Sequence, residues 1–187
     1  MSTLTLDQMY EMQKVLDARI IKEKGLEGVD LLPNTILALQ VEIGELANEW
    51  RGFKHWSKDQ EPRYEKKSIA FADPGGPFED VTYPLIEEYV DCLHFFLSIS
   101  RQLEVKNIPD YQPTISHRLL TNQFIDLNNL VGNILDSENY LNPDERWGVA
   151  FFNFIELGHA LGFTFEQIAK AYVAKNQVNH ERQSSGY

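Results

Sequence analysis

Cysteine is almost absent from this chain of 187 residues, which contains only Cys92. One cysteine cannot form an internal disulfide, and it cannot build a cysteine-based zinc site by itself. The start of the chain has no basic segment leading into an apolar run, and no uninterrupted apolar stretch approaches about 18 residues. We therefore expect neither a secretory signal nor a membrane span, and a cytoplasmic location.

Positive charge is also scarce. The 17 Lys and Arg residues are outnumbered by 28 Asp and Glu residues, which gives a net charge of −11 with His neutral. Nucleic acids and anionic membranes need a basic face, so this balance argues against both as partners. It does not exclude a small anionic ligand that is held through metal ions.

The pattern of apolar residues predicts an all-α protein. With 43% apolar residues the chain can bury a sizeable core, and its length fits one domain over residues 1–187. Apolar positions recur with a helical period between short clusters of Pro, Gly, Asp and Asn. Residues 57–83 are rich in charge and helix breakers, and we predict an irregular insert there that covers a site or is mobile. The prediction is a helical bundle of about six main helices, at about 4–24, 33–51, 84–103, 115–137, 142–162 and 164–180.

Acidic residues cluster on the second and third helices. At 100° per residue, Glu42, Glu45 and Glu49 lie within about 60° of one another, beside the apolar stripe of helix two. On helix three, Glu88 and Asp91 are three residues apart and share a face. If the two helices pack side by side, these carboxylates meet in a partly dry crevice and need cations to remain ionised. Oxygen ligands without His or Cys favour Mg²⁺ or Mn²⁺.

The rest of helix three is apolar around most of its circumference, so we expect it to be central. Its remaining polar residues form a strip that we predict to face water: Glu87, His94, Ser98 and Arg101. Helix five is also apolar around most of its surface. Together the two helices offer more apolar surface than one small bundle can bury, so we predict a homodimer whose shared surface adjoins the site.

A basic stripe marks the end of the chain. Lys175, Asn179 and Arg182 are spaced four and three residues apart, so they share one face of a helix. In a protein this acidic, such a stripe favours an anion-binding surface aimed at phosphate. Positive residues also suit a helix C-terminus through the helix dipole alone, so both readings remain open at this point.

Three motifs stand out together: Glu42-x-x-Glu45, Glu88-x-x-Asp91 and Lys175-Asn176-x-x-Asn179-x-x-Arg182-Gln183-x-x-Gly186-Tyr187. Taken together, they resemble the dimeric, all-α dUTPases of the all-α NTP pyrophosphatase superfamily, in their phage and bacterial form. The likeness extends in order from the first helix to the last residue. The resemblance implies Mg²⁺-dependent hydrolysis of dUTP to dUMP and pyrophosphate, in the cytosol of a bacterial host if the protein is phage-encoded.

The resemblance also implies roles for the acidic residues. Two or three Mg²⁺ ions, with Mn²⁺ as a possible substitute, bridge the triphosphate in this reading. Either Glu45 or Glu42 orients or deprotonates the attacking water. The implied metal ligands are Glu42, Glu45, Glu88 and Asp91.

The implied nucleoside contacts come from three helices. Gln13 matches the amide that reads the uracil edge, and Asp17 stands near a position where the family often has Asn. Phe95 matches the aromatic residue packed against the deoxyribose, and Asn179 the residue that meets the 3′-hydroxyl.

The implied phosphate contacts are Lys175, Arg182 and Tyr187. A run after the second helix that includes Lys54 and Trp56 matches an aromatic and basic run of the family, and we expect it to contact substrate.

Three alternatives remain open from the sequence. One is a dCTPase or a broader housecleaning NTP pyrophosphatase. Another is a phage regulatory protein that binds a protein partner, such as a repressor, through residues 57–83 and 104–142. The last is a helical scaffold whose acidic faces are simply solvated.

Overall fold

The computed structural model describes residues 4–72, 75–105, 107–108, 110, 112–114 and 117–185. Within these residues no single helix is long and apolar enough to cross a membrane, and the helices Pro143–Ala160 and Phe165–Ser184 pass that test only as a pair bent by 109°. The all-α prediction is confirmed. The described residues form six helices and one hairpin: α1 (Leu6–Lys24), α2 (Leu32–Trp50), β1 (Lys66–Ala72), β2 (Gly76–Thr82), α3 (Pro84–Gln102), α4 (Leu120–Gly132), α5 (Pro143–Ala160) and α6 (Phe165–Ser184).

Local sequence signals set several of the helix ends. Thr5 caps α1 by accepting a hydrogen bond from the backbone N–H of Gln8, whose side chain accepts one from the backbone N–H of Thr5. Thr164 and Gln167 form the same reciprocal pair at the start of α6. Gly25 ends α1 in the left-handed region at φ 65°, which favours glycine.

Helix α3 lies at the centre, as predicted, and packs against α1, α2, α5 and α6. Its buried Tyr89 stacks on Phe154 of α5 with ring centroids 4.3 Å apart. The indole N–H of the buried Trp147 donates to the carbonyl of Phe96 at 3.0 Å. Burial of large aromatic side chains in this way holds the position of α3, and with it the position of the acidic pair that α3 carries.

The segment 57–83 contains an ordered element where the sequence predicted an irregular insert. Strands β1 and β2 pair antiparallel, with Lys66 opposite Thr82 and Ala72 opposite Gly76. The side chains of Ile69 and Phe71 remain 73% and 78% exposed. The sequence signal for a strand is weak, because the alternation of Ile69 and Phe71 with their neighbours is short and neither side chain is buried.

Helix α4 is shorter than the predicted 115–137. It begins at Leu120, and residues 115–116 lie outside the described residues. It ends at Gly132, and Asn133 follows as the C-cap. Beyond it, Asp136 accepts a hydrogen bond from the backbone N–H of Glu138 at 2.9 Å. This local turn replaces the last predicted helical turns, because Asp side chains compete for the backbone donors that a helix needs.

Candidate functional site

Three glutamates converge where α2 packs against α3. Glu42 and Glu45 of α2 and Glu88 of α3 each place one carboxylate oxygen within 4.8 Å of the others. The buried Ile43 and Leu46 fix this face of α2 against the core. Glu42 and Glu88 are half-buried at the edge of that contact, whereas Glu45 is exposed. The packing of the two helices therefore creates a compact set of oxygen donors that opens towards solvent.

The crowding shifts the protonation of these groups. Burial, followed by the charges of Asp91 and Glu45, raises the pKa of Glu42 to about 7. Burial and then the charge of Asp91 raise the pKa of Glu88 to about 7 as well. Each shift shows that a negative charge here is costly without a compensating cation. A donor set made only of carboxylate oxygens, partly buried and like-charged, fits Mg²⁺ or Mn²⁺.

Asp91 lies one helical turn from Glu88 and forms an ion pair with Lys175 of α6. Burial raises the pKa of the Asp91 carboxyl, and the hydrogen bond and charge of Lys175 oppose that rise. Asp91 is therefore next to the three converging glutamates, and its charge is already paired with a side chain of this chain.

The predicted basic stripe lies on α6 beside an open groove. Lys175 and Arg182 line this groove of about 810 Å³ together with Lys170. Asn179 is half-buried on the same helix. Tyr187, which the sequence placed on the phosphates, lies outside the described residues. The groove gives the acidic cluster a cationic neighbour on the side of α6.

Gln13 is buried, and the hydrogen bonds of its amide are all made within the protein. Its Nε2 donates to Asp17 Oδ1 at 2.8 Å and to Ser98 Oγ at 3.0 Å. Its Oε1 accepts from the hydroxyl of Tyr172 at 3.1 Å and lies 2.5 Å from His94 Nδ1. In this structure the amide has no remaining group for a uracil edge.

The predicted solvent-facing strip of α3 is wrong for two of its members. His94 and Ser98 are only 5% and 6% exposed, because α1 packs across them. The Ser98 hydroxyl donates to Asp17 Oδ1 at 2.9 Å, and Arg101 Nε donates to Asp17 Oδ2 at 2.8 Å. The sequence signal for this polar cluster lies on α1, where Gln13 and Asp17 share the buried face.

The other residues predicted to contact substrate differ in their distance along the chain from the acidic cluster and in burial: Phe95 is on α3, and Lys54 and Trp56 follow α2. Phe95 is half-buried on α3, one turn after Asp91, and packs against the core. Lys54 lies over the ring of Phe53 at 5.6 Å, and Trp56 is 68% exposed. Within the described part of the chain, no hydrogen bond or ion pair joins Lys54 or Trp56 to the clustered glutamates.

Comparison with protein families identifies one match over nearly the whole chain. A family model described as dUTPase matches residues 5–74 and 79–187. The unmatched residues 75–78 lie at the turn and the start of β2, so only the hairpin interrupts the match. A search of curated proteins gives no match.

Proposed function

The chain belongs to the all-α dUTPase family and is a dUTP diphosphatase, and we propose that it cleaves dUTP to dUMP and pyrophosphate with Mg²⁺ held between α2 and α3. The observation that carries this proposal is the convergence of the Glu42, Glu45 and Glu88 carboxylates within 4.8 Å. Their half-buried, like-charged setting calls for a cation, and the substrate of the family carries the phosphates that complete such a coordination sphere.

The metal ligands in this proposal are Glu42, Glu45 and Glu88, joined by Asp91 when its ion pair with Lys175 opens. The set provides enough oxygens for two or three Mg²⁺ ions, and Mn²⁺ can replace them. Divalent ions held by these residues would supply charge neutralisation at the phosphate oxygens and would lower the pKa of an attacking water.

The proton of the attacking water passes to a glutamate. Glu45 is the exposed member of the cluster, so water reaches its carboxylate most easily, and Glu42 is the second candidate. The water oxygen forms a new bond to one of the two phosphorus atoms of the α,β-anhydride, and the P–O bond from that phosphorus to the bridging oxygen breaks. The bridging oxygen keeps the electron pair and leaves on pyrophosphate or on dUMP, according to which phosphorus is attacked, and no covalent enzyme intermediate is required.

The cationic face of α6 binds the triphosphate. Lys175 can exchange its contact with Asp91 for a phosphate oxygen, and Arg182 lies further along the same groove. Asn179 on this face is placed for the 3′-hydroxyl, and Phe95 on α3 is placed to pack on the deoxyribose. Positioning of this kind supplies most of the catalysis in phosphoanhydride hydrolysis.

We further propose that the chain functions as a homodimer. The hairpin supports this, because Ile69 and Phe71 lie on one face of β1 and are 73% and 78% exposed. An isolated two-stranded hairpin is only marginally stable in water, so an apolar hairpin face favours a covering surface.

Product analysis tests the catalytic proposal directly. Purified protein is incubated with Mg²⁺ and each deoxynucleoside triphosphate, and the products are separated by ion-exchange chromatography. We expect dUTP to give dUMP and pyrophosphate, and EDTA to stop the reaction. Equal turnover of all these triphosphates, or a preference for dCTP, would favour the housecleaning or dCTPase alternative instead.

A matched pair of variants then tests the cluster. Glu45→Gln removes a charge from the converging set, and we expect kcat to fall about a hundredfold or more. Glu49→Gln changes the next acidic residue on α2, which is paired with Arg63 at 3.0 Å and lies outside the cluster. For this variant we expect kcat within about threefold of wild type. Equal losses in the two variants would contradict the assignment.

A further inference from the structure

The C-terminal end of α6 extends beyond the buried core. Among the described residues of this helix, Asn176 is the last one that is buried, and the exposed Arg182 follows six residues later. Ser185 then ends the helix at φ −91°, whereas α1 ends at Gly25 in the left-handed region at φ 65°. Helix ends leave backbone carbonyls without partners inside the helix. Contacts other than core packing must therefore hold the turn that carries Arg182.

Arg19 of α1 binds this end of α6 with its guanidinium group. Its Nη1 donates to the backbone carbonyl of His180 at 2.9 Å, and its Nη2 donates to the hydroxyl of Ser184 at 3.1 Å. Its Nε donates to Glu23 on its own helix at 2.7 Å, which orients the side chain. The planar guanidinium presents its donors as a fixed fork, and its charge suits the C-terminus of a helix. Arg19 therefore supplies from α1 a cap for the end of α6.

The turn that Arg19 holds carries a proposed phosphate contact. Arg182 lies between the two residues of α6 that Arg19 contacts, and it lines the same groove as Lys175. Burial raises the pKa of the Asp91 carboxyl, and the charges of Lys175 and then Arg182 oppose that rise, so Arg182 lies near this carboxylate. The distance of Arg182 from the acidic cluster therefore depends on the position of the last turn of α6.

We propose that Arg19 is a positioning residue for triphosphate binding, and that it acts through Arg182 by holding the last turn of α6. Arg19 itself touches neither the phosphates nor the cations in this proposal. The inference rests on the proposed function, which brings the triphosphate to the basic face of α6.

Loss of this positioning has a defined kinetic signature. The phosphates are bound both in the substrate complex and in the transition state, so a misplaced Arg182 weakens both by a similar amount. Such a loss raises KM and leaves kcat nearly unchanged. A positive charge on α1 also attracts an anionic substrate from a distance. The variants must therefore separate the charge of Arg19 from its hydrogen bonds.

Amide hydrogen exchange, followed by mass spectrometry, tests the contact without any substrate. In Arg19→Met we expect the amides of residues 181–185 to exchange about fivefold or more faster than in wild type, because the last turn opens more often. Amides around the buried Tyr172 should exchange at the wild-type rate. Lys14→Met is the matched control, because Lys14 is paired with Glu11 within α1 at 3.5 Å. Unchanged exchange at residues 181–185 in Arg19→Met would overturn the proposal.

Steady-state kinetics with dUTP and Mg²⁺ test the effect on binding. We expect Arg19→Met to raise KM about tenfold and to keep kcat within about threefold of wild type. Arg19→Lys retains the charge but loses the fork of donors, so we expect its KM to stay about threefold or more above wild type. Lys14→Met should leave KM within about twofold of wild type. A wild-type KM in Arg19→Lys would show that charge alone is sufficient and would overturn the proposal.

A double variant tests whether Arg19 acts through Arg182. If it does, adding Arg19→Met to Arg182→Met should change KM by no more than about twofold, because the residue that Arg19 positions is already gone. Independent effects that multiply in the double variant would contradict this route. Mn²⁺ should bind Arg19→Met as it binds wild type in the absence of nucleotide, and weaker Mn²⁺ binding would indicate a general structural effect and overturn the proposal. Failure of wild type to cleave dUTP would instead overturn the proposed function, and the exchange experiment would still test the contact between α1 and α6.

Discussion

Glu42 and Glu88 bind protons more tightly in the folded protein than their ordinary pKa of 4.5 would give. Burial and neighbouring carboxylates raise the pKa of both to about 7. A group whose pKa is raised on folding contributes stability that is fully present below its unfolded pKa and is lost as the pH rises through its folded pKa. Each glutamate therefore stabilises the metal-free fold below about pH 4.5 and loses that contribution by about pH 7.

This linkage predicts a pH-dependent difference between wild type and Glu88→Gln. Without divalent cations, we expect the free energy of unfolding of wild type to fall relative to that of the variant between pH 4.5 and pH 7, because Gln does not titrate. Urea unfolding at a series of pH values measures the difference. Mg²⁺ at pH 7.5 should stabilise wild type more than the variant. A difference that stays constant over this pH range would contradict the expectation.

Lys175 acts as an internal counter-ion of Asp91, so it competes with added cations for that carboxylate. We expect Lys175→Met to strengthen Mn²⁺ binding in the absence of nucleotide by on the order of tenfold, equivalent to about 1.4 kcal/mol. The same variant should weaken binding of a non-hydrolysable dUTP analogue, because a phosphate contact is lost. Isothermal titration calorimetry measures both affinities.

Lys170→Met is the matched control for that experiment. Lys170 lies on the same helix and lines the same groove, but it is exposed and Asp91 is paired with Lys175 instead. We expect Mn²⁺ affinity to remain within about twofold of wild type. Weaker Mn²⁺ binding by Lys175→Met would show that Lys175 supports the cation site and does not compete with it.

The sequence located the carboxylates but misread the polar residues of α3. Spacing along one helix places Glu88 and Asp91 on a common face, and this holds regardless of the neighbouring helices. The burial of His94 depends on which helix covers it, and the pattern of α3 alone contains no information about α1. The sequence signal for the burial of His94 was on α1, where the polar residues Gln13 and Asp17 occupy positions on the buried face.

Among the elements, α3 and α5 approach so closely that a glycine is required between them. A Cβ added at Gly158 of α5 would lie 2.3 Å from the hydroxyl oxygen of Tyr89. Tyr89 is fully buried, stacks on Phe154 and neighbours Glu88 in the chain. Its ring cannot move aside without disturbing the turn of α3 that carries the acidic pair.

Gly158→Ala is therefore expected to destabilise the protein by about 1–3 kcal/mol through overpacking. Gly148→Ala on the same helix is the matched control, since nothing lies within 4 Å of its added Cβ. There we expect no loss, or a small gain from the higher helix propensity of Ala. Thermal and urea unfolding compare the two variants, and equal effects would contradict the close approach of α3 and α5.

The helices were predictable because their apolar periodicity and caps agree with each other, as at Thr164 and Gln167 of α6. The hairpin could not be predicted from the sequence, because it has no buried apolar face that would give a clear strand pattern. Ile69 and Phe71 alternate with Ser68 and Ala70, but the apolar members remain exposed in this chain. The end of α4 depends on the turn at Asp136, which competes with a periodic pattern that continues past it.

At the scale of the whole molecule, the exposed apolar side chains of the hairpin predict self-association. We expect light scattering to give twice the chain mass of 21.6 kDa. Phe71→Ser should weaken the dimer, because it removes an apolar side chain that is 78% exposed in the single chain. Ser68→Lys, on the other face of the same strand, serves as the control. A chain that stays monomeric at all concentrations would contradict the proposed homodimer.

The molecule is acidic overall, with a net charge of −11, yet its family substrate carries a triphosphate. An acidic crevice between α2 and α3 can bind a negatively charged triphosphate only if divalent cations occupy the crevice. The basic face of α6 then neutralises the remaining phosphate charge. Crystals grown with Mn²⁺ and a non-hydrolysable dUTP analogue, recorded at the manganese edge, test this most directly. We expect anomalous peaks within about 2.5 Å of carboxylate oxygens of Glu42, Glu45 and Glu88. A bound analogue without manganese at these residues would contradict it.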